Sequence, residues 1–442
     1  MFQRAGLENQ PTPLSPLSVT ATLNQGLPVH DWYLMPESYS EPLIVEALEK
    51  YALGKDDTIL DPFSGTGTTV VTAALRGVNG VGLEVNPFLA FASRVKLDWQ
   101  VDLGQFDQSR EQVLAEAQPL LESISASHDL FSISIHPSVE KHAREVLSGL
   151  TEPDMPRLYK WMTEVVVQKI LLLDHVIRQR VSERLQPHFL LALAAILRPA
   201  SNMKLTAHAF GSNTRKEDSP VFELYTQKLE KMYQDLKYLQ SLDRDFGKTT
   251  VFHADARAFH SGQSDLLPAT LAFTSPPYLN NLDYTMQTRM ELFFLRFVNN
   301  MAELRQLRKA MVTCDAKAMY KDVKDSMEVA DVASIQQIVA SLKEVHQDKN
   351  WGWDYSYMTS QYFGGMIRVI RSIHSLLRPG GRFVMVVGES AHSGIRVPVP
   401  ELLGELGERS SYVCEAINTL RSRRSSSHTF DLRESEVILR KA

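Results

Sequence analysis

Apolar side chains along this chain change their spacing twice, and the changes mark out its layers. From Glu41, the positions Leu43, Ile44, Ala47, Leu48 and Tyr51 fall three and four apart, as on one face of a helix. The turn at Gly54–Asp57 then leads into Thr58-Ile-Leu60, a short run suited to a buried strand. A helix is predicted from about Thr68 to Leu75, ended by Gly77, followed by a strand over Gly80–Val85 and another apolar helix opening near Pro87. Strand, helix, strand, helix in that order implies a parallel sheet, because parallel neighbours require a crossover between them.

From about Leu103 to Phe246 the period is helical, with apolar residues three and four apart in Gln112–Ser123, Val139–Leu147, Arg157–Val181 and Pro220–Leu242. In the last of these, Phe222, Tyr225, Leu229, Met232, Tyr233, Leu236 and Leu239 form one stripe, read as helix packing. Strand patterns return at Thr249–His253 and Thr270–Phe273, and the sheet is expected to finish with Arg382–Val387 and Ser435–Leu439. Residues 303–350 are charged and mainly helical. The expectation is an α/β fold, with a sheet domain over 30–102 and 248–442 interrupted by a helical insertion over 103–247. Ahead of it, an arm over 1–29 carries Pro11, Pro13 and Pro16 and no sustained apolar period.

A length of 442 residues fits such a core plus insertion, since single cores stop growing near ~250–300 residues. The composition, 44% hydrophobic and 22% charged, excludes disordered and fibrous classes. No run reaches the ~18 apolar residues of a membrane helix, and Met1–Gly6 lacks the pattern of a signal peptide, so a cytoplasmic address is expected. Cys314 and Cys414 stand far apart and are read as free thiols, with no metal site expected. A net charge of −5 argues against a broadly basic nucleic-acid face and confines any such contact to local runs.

Candidate chemistry begins at Asp61-Pro62-Phe63-Ser64-Gly65-Thr66-Gly67-Thr68-Thr69, which follows a predicted strand and opens a helix. Its glycines allow backbone to approach a ligand, and the helix start offers unpaired N–H groups, which suits a nucleotide-like molecule. Gly67 is followed by Thr68 and not by lysine, so the loop is not built for a triphosphate. A carboxylate at the strand tip, Asp61, suits a ligand with a cationic amino-acid end, and S-adenosylmethionine has one. Glu84 ends the next strand, where an acid can accept from both ribose hydroxyls. Asp255, just beyond Val251–His253, is placed to accept from an adenine amino group.

Thr274-Ser275-Pro276-Pro277-Tyr278 follows the strand Leu271–Phe273. Consecutive prolines stiffen the backbone and cannot donate, so acceptors are presented. If Ser275 and the Pro276 carbonyl take the two hydrogens of an exocyclic amine, its lone pair is held toward an electrophilic methyl, while Tyr278 offers a flat face to a flipped base.

With these residues in view, the chain resembles the S-adenosylmethionine-dependent DNA amino-methyltransferases. The resemblance rests on the loop at 61–69, Glu84 and the Ser275–Tyr278 tetrapeptide. It extends to His30-Asp-Trp32 with Pro36-Glu-Ser38, which look like the family's N-terminal cofactor segment, and to Asp283-Tyr284, Glu291-Leu292, Leu377–Arg382 and Gly388-Glu-Ser390, and it leaves the insertion uncovered. It implies a Rossmann-like class I methyltransferase sheet, S-adenosyl-L-methionine as cofactor and double-stranded DNA as substrate. It further implies a place in restriction-modification or related defence systems, with a nuclease or other subunit as companion. Serine before Pro-Pro-Tyr is typical of enzymes acting on N4 of cytosine, and Asp or Asn of those acting on N6 of adenine, so Ser275 favours cytosine.

DNA contacts are expected at Arg421, Arg423 and Arg424, or in the run from Arg198 to Lys204 with Arg215 and Lys216, and target choice in the insertion or in 303–350. The rival readings are a transfer-RNA guanine-N2 methyltransferase, a protein glutamine methyltransferase and a non-catalytic DNA-binding recognition subunit of a defence complex. The first two use aspartate or asparagine where this chain has Ser275.

Overall fold

In a computed structural model of the 442-residue chain, residues 17–128, 136–203, 216–346, 353–424 and 430–442 are described. The strands are β1 (Thr58–Asp61), β2 (Asn79–Glu84), β3 (Thr249–His253), β4 (Ala269–Thr274), β5 (Leu377–Gly388), β6 (Ser390–His392), β7 (Ile395–Val397), β8 (Tyr412–Arg424) and β9 (Asp431–Lys441). Seven of them form one sheet in the order β3-β2-β1-β4-β5-β9-β8, and β6 pairs with β7 as a separate ribbon. From β3 through β5 all neighbours are parallel, whereas β9 runs antiparallel between β5 and β8. This is a doubly wound, Rossmann-like sheet. Strand order reverses between β1 and β4, and in open α/β sheets such a switch point leaves a crevice outside the carboxyl ends of the strands.

The parallel strands are apolar because both faces are covered. One layer contains helices Tyr355–Leu376 and Val399–Glu408, whose core includes Leu60, Leu83, Met385 and Val387. On the other face, helix Glu41–Lys50 packs Leu43, Ile44, Ala47 and Leu48 with Ile59, Phe273 and Val384. That is the stripe read from the sequence.

Between β2 and β3, after helix Pro87–Leu97, come helices Leu103–His128, Pro137–Ser148, Leu158–Trp161, Glu164–Arg180, Gln186–Ala200 and Val221–Gln240. The expected stripe on the last is buried at Tyr225, Leu229, Met232, Leu236 and Leu239. Met162, with φ −135° and ψ 149°, breaks the segment expected as one helix over 157–181. Gln186–Ala200 is apolar on nearly every side, as a helix in the middle of a core must be. These helices share one continuous core with Val71, Phe88, Trp99 and Phe293 of the sheet layer.

The described part of the arm lies against the body. The Asn24 amide donates to the Tyr39 carbonyl at 3.0 Å and accepts from Glu41 N–H at 2.8 Å. Farther on, Val29 N–H and Trp32 Nε1 both donate to Asp235, at 3.0 and 2.9 Å, pinning this strand of chain to helix Val221–Gln240. Among the described residues no helix is long and apolar enough to cross a membrane.

Candidate active site

The crevice at the switch point holds a cavity of about 340 Å³. One wall comes from Phe63–Thr66 after β1 together with Glu84 at the end of β2, and the facing wall from Ser275–Tyr278 after β4. The two motifs singled out in the sequence, more than two hundred positions apart, therefore meet across one space.

The turn from β1 into helix Thr68–Leu75 depends on Gly65 and Gly67, whose φ values are +53° and +86°. A Cβ at Gly67 would also overlap Ser93 Oγ, so helix Pro87–Leu97 packs against bare backbone there.

Asp61 is fully buried and lies behind the cavity wall. Its Oδ2 accepts from Tyr39 Oη and Thr69 Oγ1, each at 2.7 Å, while Oδ1 accepts from Thr274 Oγ1 at 2.6 Å and Phe63 N–H at 3.0 Å. Burial pushes this carboxyl up, and those donors pull it down. The expected direct contact of Asp61 with a ligand is corrected accordingly: its acceptor positions are filled by the protein. Thr68, Thr69 and Thr274 likewise serve the fold around the loop, with Thr68 Oγ1 3.2 Å from Ser38 Oγ.

Glu84 does reach the wall. Its Oε2 accepts from Gly65 N–H at 2.8 Å and its Oε1 from Asn86 N–H at 2.7 Å, which aims the carboxylate across the loop. Burial pushes its pKa up to about 7. Asp255, by contrast, does not line the cavity. Arg257 holds it through Nε at 3.0 Å and Nη2 at 2.8 Å and also grips Asp325 at 2.6 Å, so the expected adenine contact there gives way to an ion-pair network.

In the opposite wall Pro276 is buried and Ser275, Pro277 and Tyr278 are partly open. Tyr278 N–H donates to Tyr284 Oη at 3.1 Å, so the Asp283-Tyr284 pair noted in the sequence braces the tetrapeptide. Gly388, at the end of β5, underlies the Tyr278 ring: a Cβ there would stand 3.0 Å from Cε2. Burial raises the Tyr278 hydroxyl above its ordinary range, against a hydrogen bond with Ser275.

Arg421 and Arg423 project to the same cavity from β8, beside Glu434 of β9, which pairs with Arg421. Arg424, one residue on, is exposed in register with Asp431. Lys216 is exposed, with its Nζ on the Pro199 carbonyl at 2.8 Å, and Arg215 lies outside the described residues. Arg198, the start of the other basic run, is buried against Gln287, so the expectation that it faces DNA is corrected.

Met35–Tyr39, which contains the Pro36-Glu-Ser38 likened to a cofactor segment, lines the cavity, as do Val312 and Cys314, which sequence reasoning did not single out as wall residues. The Pro36-Glu-Ser38 resemblance pointed to the first of these segments without saying which side chain mattered.

Residues 29–92 match a family model described as DNA methylase. The Type II methyltransferase M.BsoBI of Geobacillus stearothermophilus is 23% identical to this chain, over 96% of it and 86% of the relative. For M.AvaI of Nostoc sp. the identity is 22%, over 92% and 84%, and for M.MvaI of Kocuria varians 20%, over 85% and 80%. A solved rRNA methyltransferase, aviRa from Streptomyces viridochromogenes, aligns with 94% of this chain and 90% of its own at 10% identity and a TM-score of 0.27. The Gly loop and the Ser-Pro-Pro-Tyr wall thus face each other at the switch point of a chain that is similar to a DNA methylase family model over residues 29–92 and to Type II methyltransferases along most of its length.

Proposed function

We propose that this chain is a site-specific DNA methyltransferase that transfers the methyl group of S-adenosyl-L-methionine to an exocyclic amino group of a base, N4 of cytosine ahead of N6 of adenine. The observation that carries the reading is the shared cavity: a Gly loop with an acid at the next strand tip faces Ser275–Tyr278, and the Thr274 to Asp61 hydrogen bond of 2.6 Å locks the two walls together. When bound, the cofactor supplies a methyl group made electrophilic by its sulfonium.

Glu84 is suited to accept from the ribose hydroxyls, because its carboxylate is already fixed by two backbone N–H groups. Ser275 Oγ and the Pro276 carbonyl are the acceptors for the two amine hydrogens, and the gain is positioning of the nitrogen lone pair. The Tyr278 ring, backed by Gly388 and braced by Tyr284, offers the base a rigid face. A stacked base cannot enter such a recess, so flipping is part of the reading. In this reading Arg421 and Arg423, which line the cavity, meet the phosphates flanking the flipped nucleotide, and the exposed Arg424 those farther along the strand. Serine at 275 supports cytosine.

The test is incubation of the purified chain with radiolabelled S-adenosylmethionine and separate pools of mixed-sequence duplex DNA, transfer RNA and protein, followed by nucleoside analysis. N4-methylcytosine in DNA is the expected product. N6-methyladenine would move the base, and label confined to RNA or protein would overturn the reading.

A further inference from the structure

The methyl donor carries an α-ammonium at its amino-acid end, and an acid lining the cavity can hold that charge through a charge-assisted hydrogen bond. Asp61 cannot, since its carboxylate is enclosed by Tyr39, Thr69, Thr274 and Phe63 N–H. Among the described residues three acids do line the cavity: Glu37, Glu84 and Glu434. Two of them are engaged. Glu84 is held by Gly65 and Asn86 N–H, and Glu434 is paired with Arg421, with Arg423 Nε 3.9 Å away.

Glu37 differs from both. Its Oε1 and Oε2 are buried, and neither receives a hydrogen bond from another described residue. Arg198 acts on it electrostatically, but that guanidinium is committed to Gln287. A buried carboxylate without a partner is costly, and native proteins keep one where a ligand completes it. The segment that bears it is firmly held: Tyr39 Oη donates to Asp61, and Ser38 Oγ lies 3.2 Å from Thr68 Oγ1 at the start of the loop helix. Glu37 is thus a fixed acid on a fixed strap beside the Gly loop.

We propose that Glu37, and not Asp61, is the carboxylate that receives the amino-acid ammonium of the methyl donor, an assignment that rests on the cofactor reading above. Burial, partly offset by its own backbone N–H and by Arg198, pushes the Glu37 carboxyl up to about 7, and a cation against it would favour the ionised form.

Two ligands separate this assignment from a structural role. S-adenosylhomocysteine keeps the amino-acid end, whereas 5′-methylthioadenosine keeps the thioether nucleoside and lacks it. Calorimetric titration of the full chain is expected to show Glu37→Gln weakening S-adenosylhomocysteine about tenfold or more, while 5′-methylthioadenosine changes by less than about twofold. The variant should also melt no lower than the wild type, because it removes an unpartnered buried charge. Unchanged S-adenosylhomocysteine affinity, an equal loss for both ligands or a clearly lower melting temperature would each overturn the proposal. Should Glu37→Gln fail to fold, Glu37→Asp, which keeps the charge and withdraws it by one methylene, is expected to show the same selective loss and is judged by the same outcomes. If the wild-type chain binds neither nucleoside, the cofactor reading falls and this assignment with it.

Discussion

Asp61 shapes a cavity that it does not line. Its four donors come from the strap at Tyr39, the loop at Phe63, the helix at Thr69 and the far motif at Thr274, so one carboxylate joins pieces of chain with no local reason to be adjacent. Thr274→Val removes one of these donors at nearly constant volume. It is expected to cost about 1.5–3 kcal/mol, the worth of a hydrogen bond to a charged group, read by urea unfolding. Glu84 gives a pH dependence of definite sign. Its pKa rises from the ordinary 4.5 to about 7 by burial, so between these values the folded chain holds a proton that the unfolded chain has released. The stability from this group is fully present below about 4.5 and is lost as pH rises toward 7. Urea midpoints of the ligand-free chain should fall across that window, and Glu84→Gln should flatten the fall. An unaltered slope in the variant would place the dependence on another group. At Tyr278 the expectation concerns chemistry: Tyr278→Ala should leave S-adenosylhomocysteine binding near normal and abolish methyl transfer, whereas loss of folding would mark the segment as a structural turn.

At the scale of elements, Gly67 shows why the loop has the form it does. It joins β1 to its helix with φ +86°, and helix Pro87–Leu97 approaches so closely that Ser93 occupies the place of a side chain. Gly67→Ala therefore meets both a strained backbone and an overlap, and should lower stability by about 2 kcal/mol or more. Adding Ser93→Gly should recover only the part due to the overlap, a partition that a double-mutant cycle measures. This loop was legible in the sequence because its glycines and its place between strand and helix follow from backbone rules. The parallel strands were legible too, since burial on both faces makes them short continuous apolar runs. β8 was not. It is an edge strand, its alternation is broken by register shifts between Cys414 and Ala416 and between Thr419 and Arg421, and its last residues read as a basic run. Helix Gln186–Ala200 was hidden for the opposite reason, since a segment buried all round has no single apolar face. The unpartnered state of Glu37 and the capture of Asp255 by Arg257 depend on residues distant in sequence or on competition between neighbours, which no local period records.

For the whole molecule, a net charge of −5 is compatible with the proposed DNA contact at Arg421 and Arg423, which line the cavity, because that proposal needs cations only locally. The helical insertion bears on a larger question, whether the sheet half could stand alone. Domains that can be removed have cores of their own, joined to the rest by few contacts. Here Val71, Phe88, Trp99 and Phe293 share one apolar core with helices of the insertion, and Asp235 on its last helix anchors Val29 and Trp32 just ahead of the strap that carries Glu37. Deleting residues 103–247 would open that core to water and free the strap together. The shortened chain is expected to appear as insoluble or aggregated material by size-exclusion chromatography with light scattering, not as a minimal methyltransferase. A monodisperse monomer that still binds S-adenosylhomocysteine would show instead that the sheet half folds by itself and that the insertion is an added module.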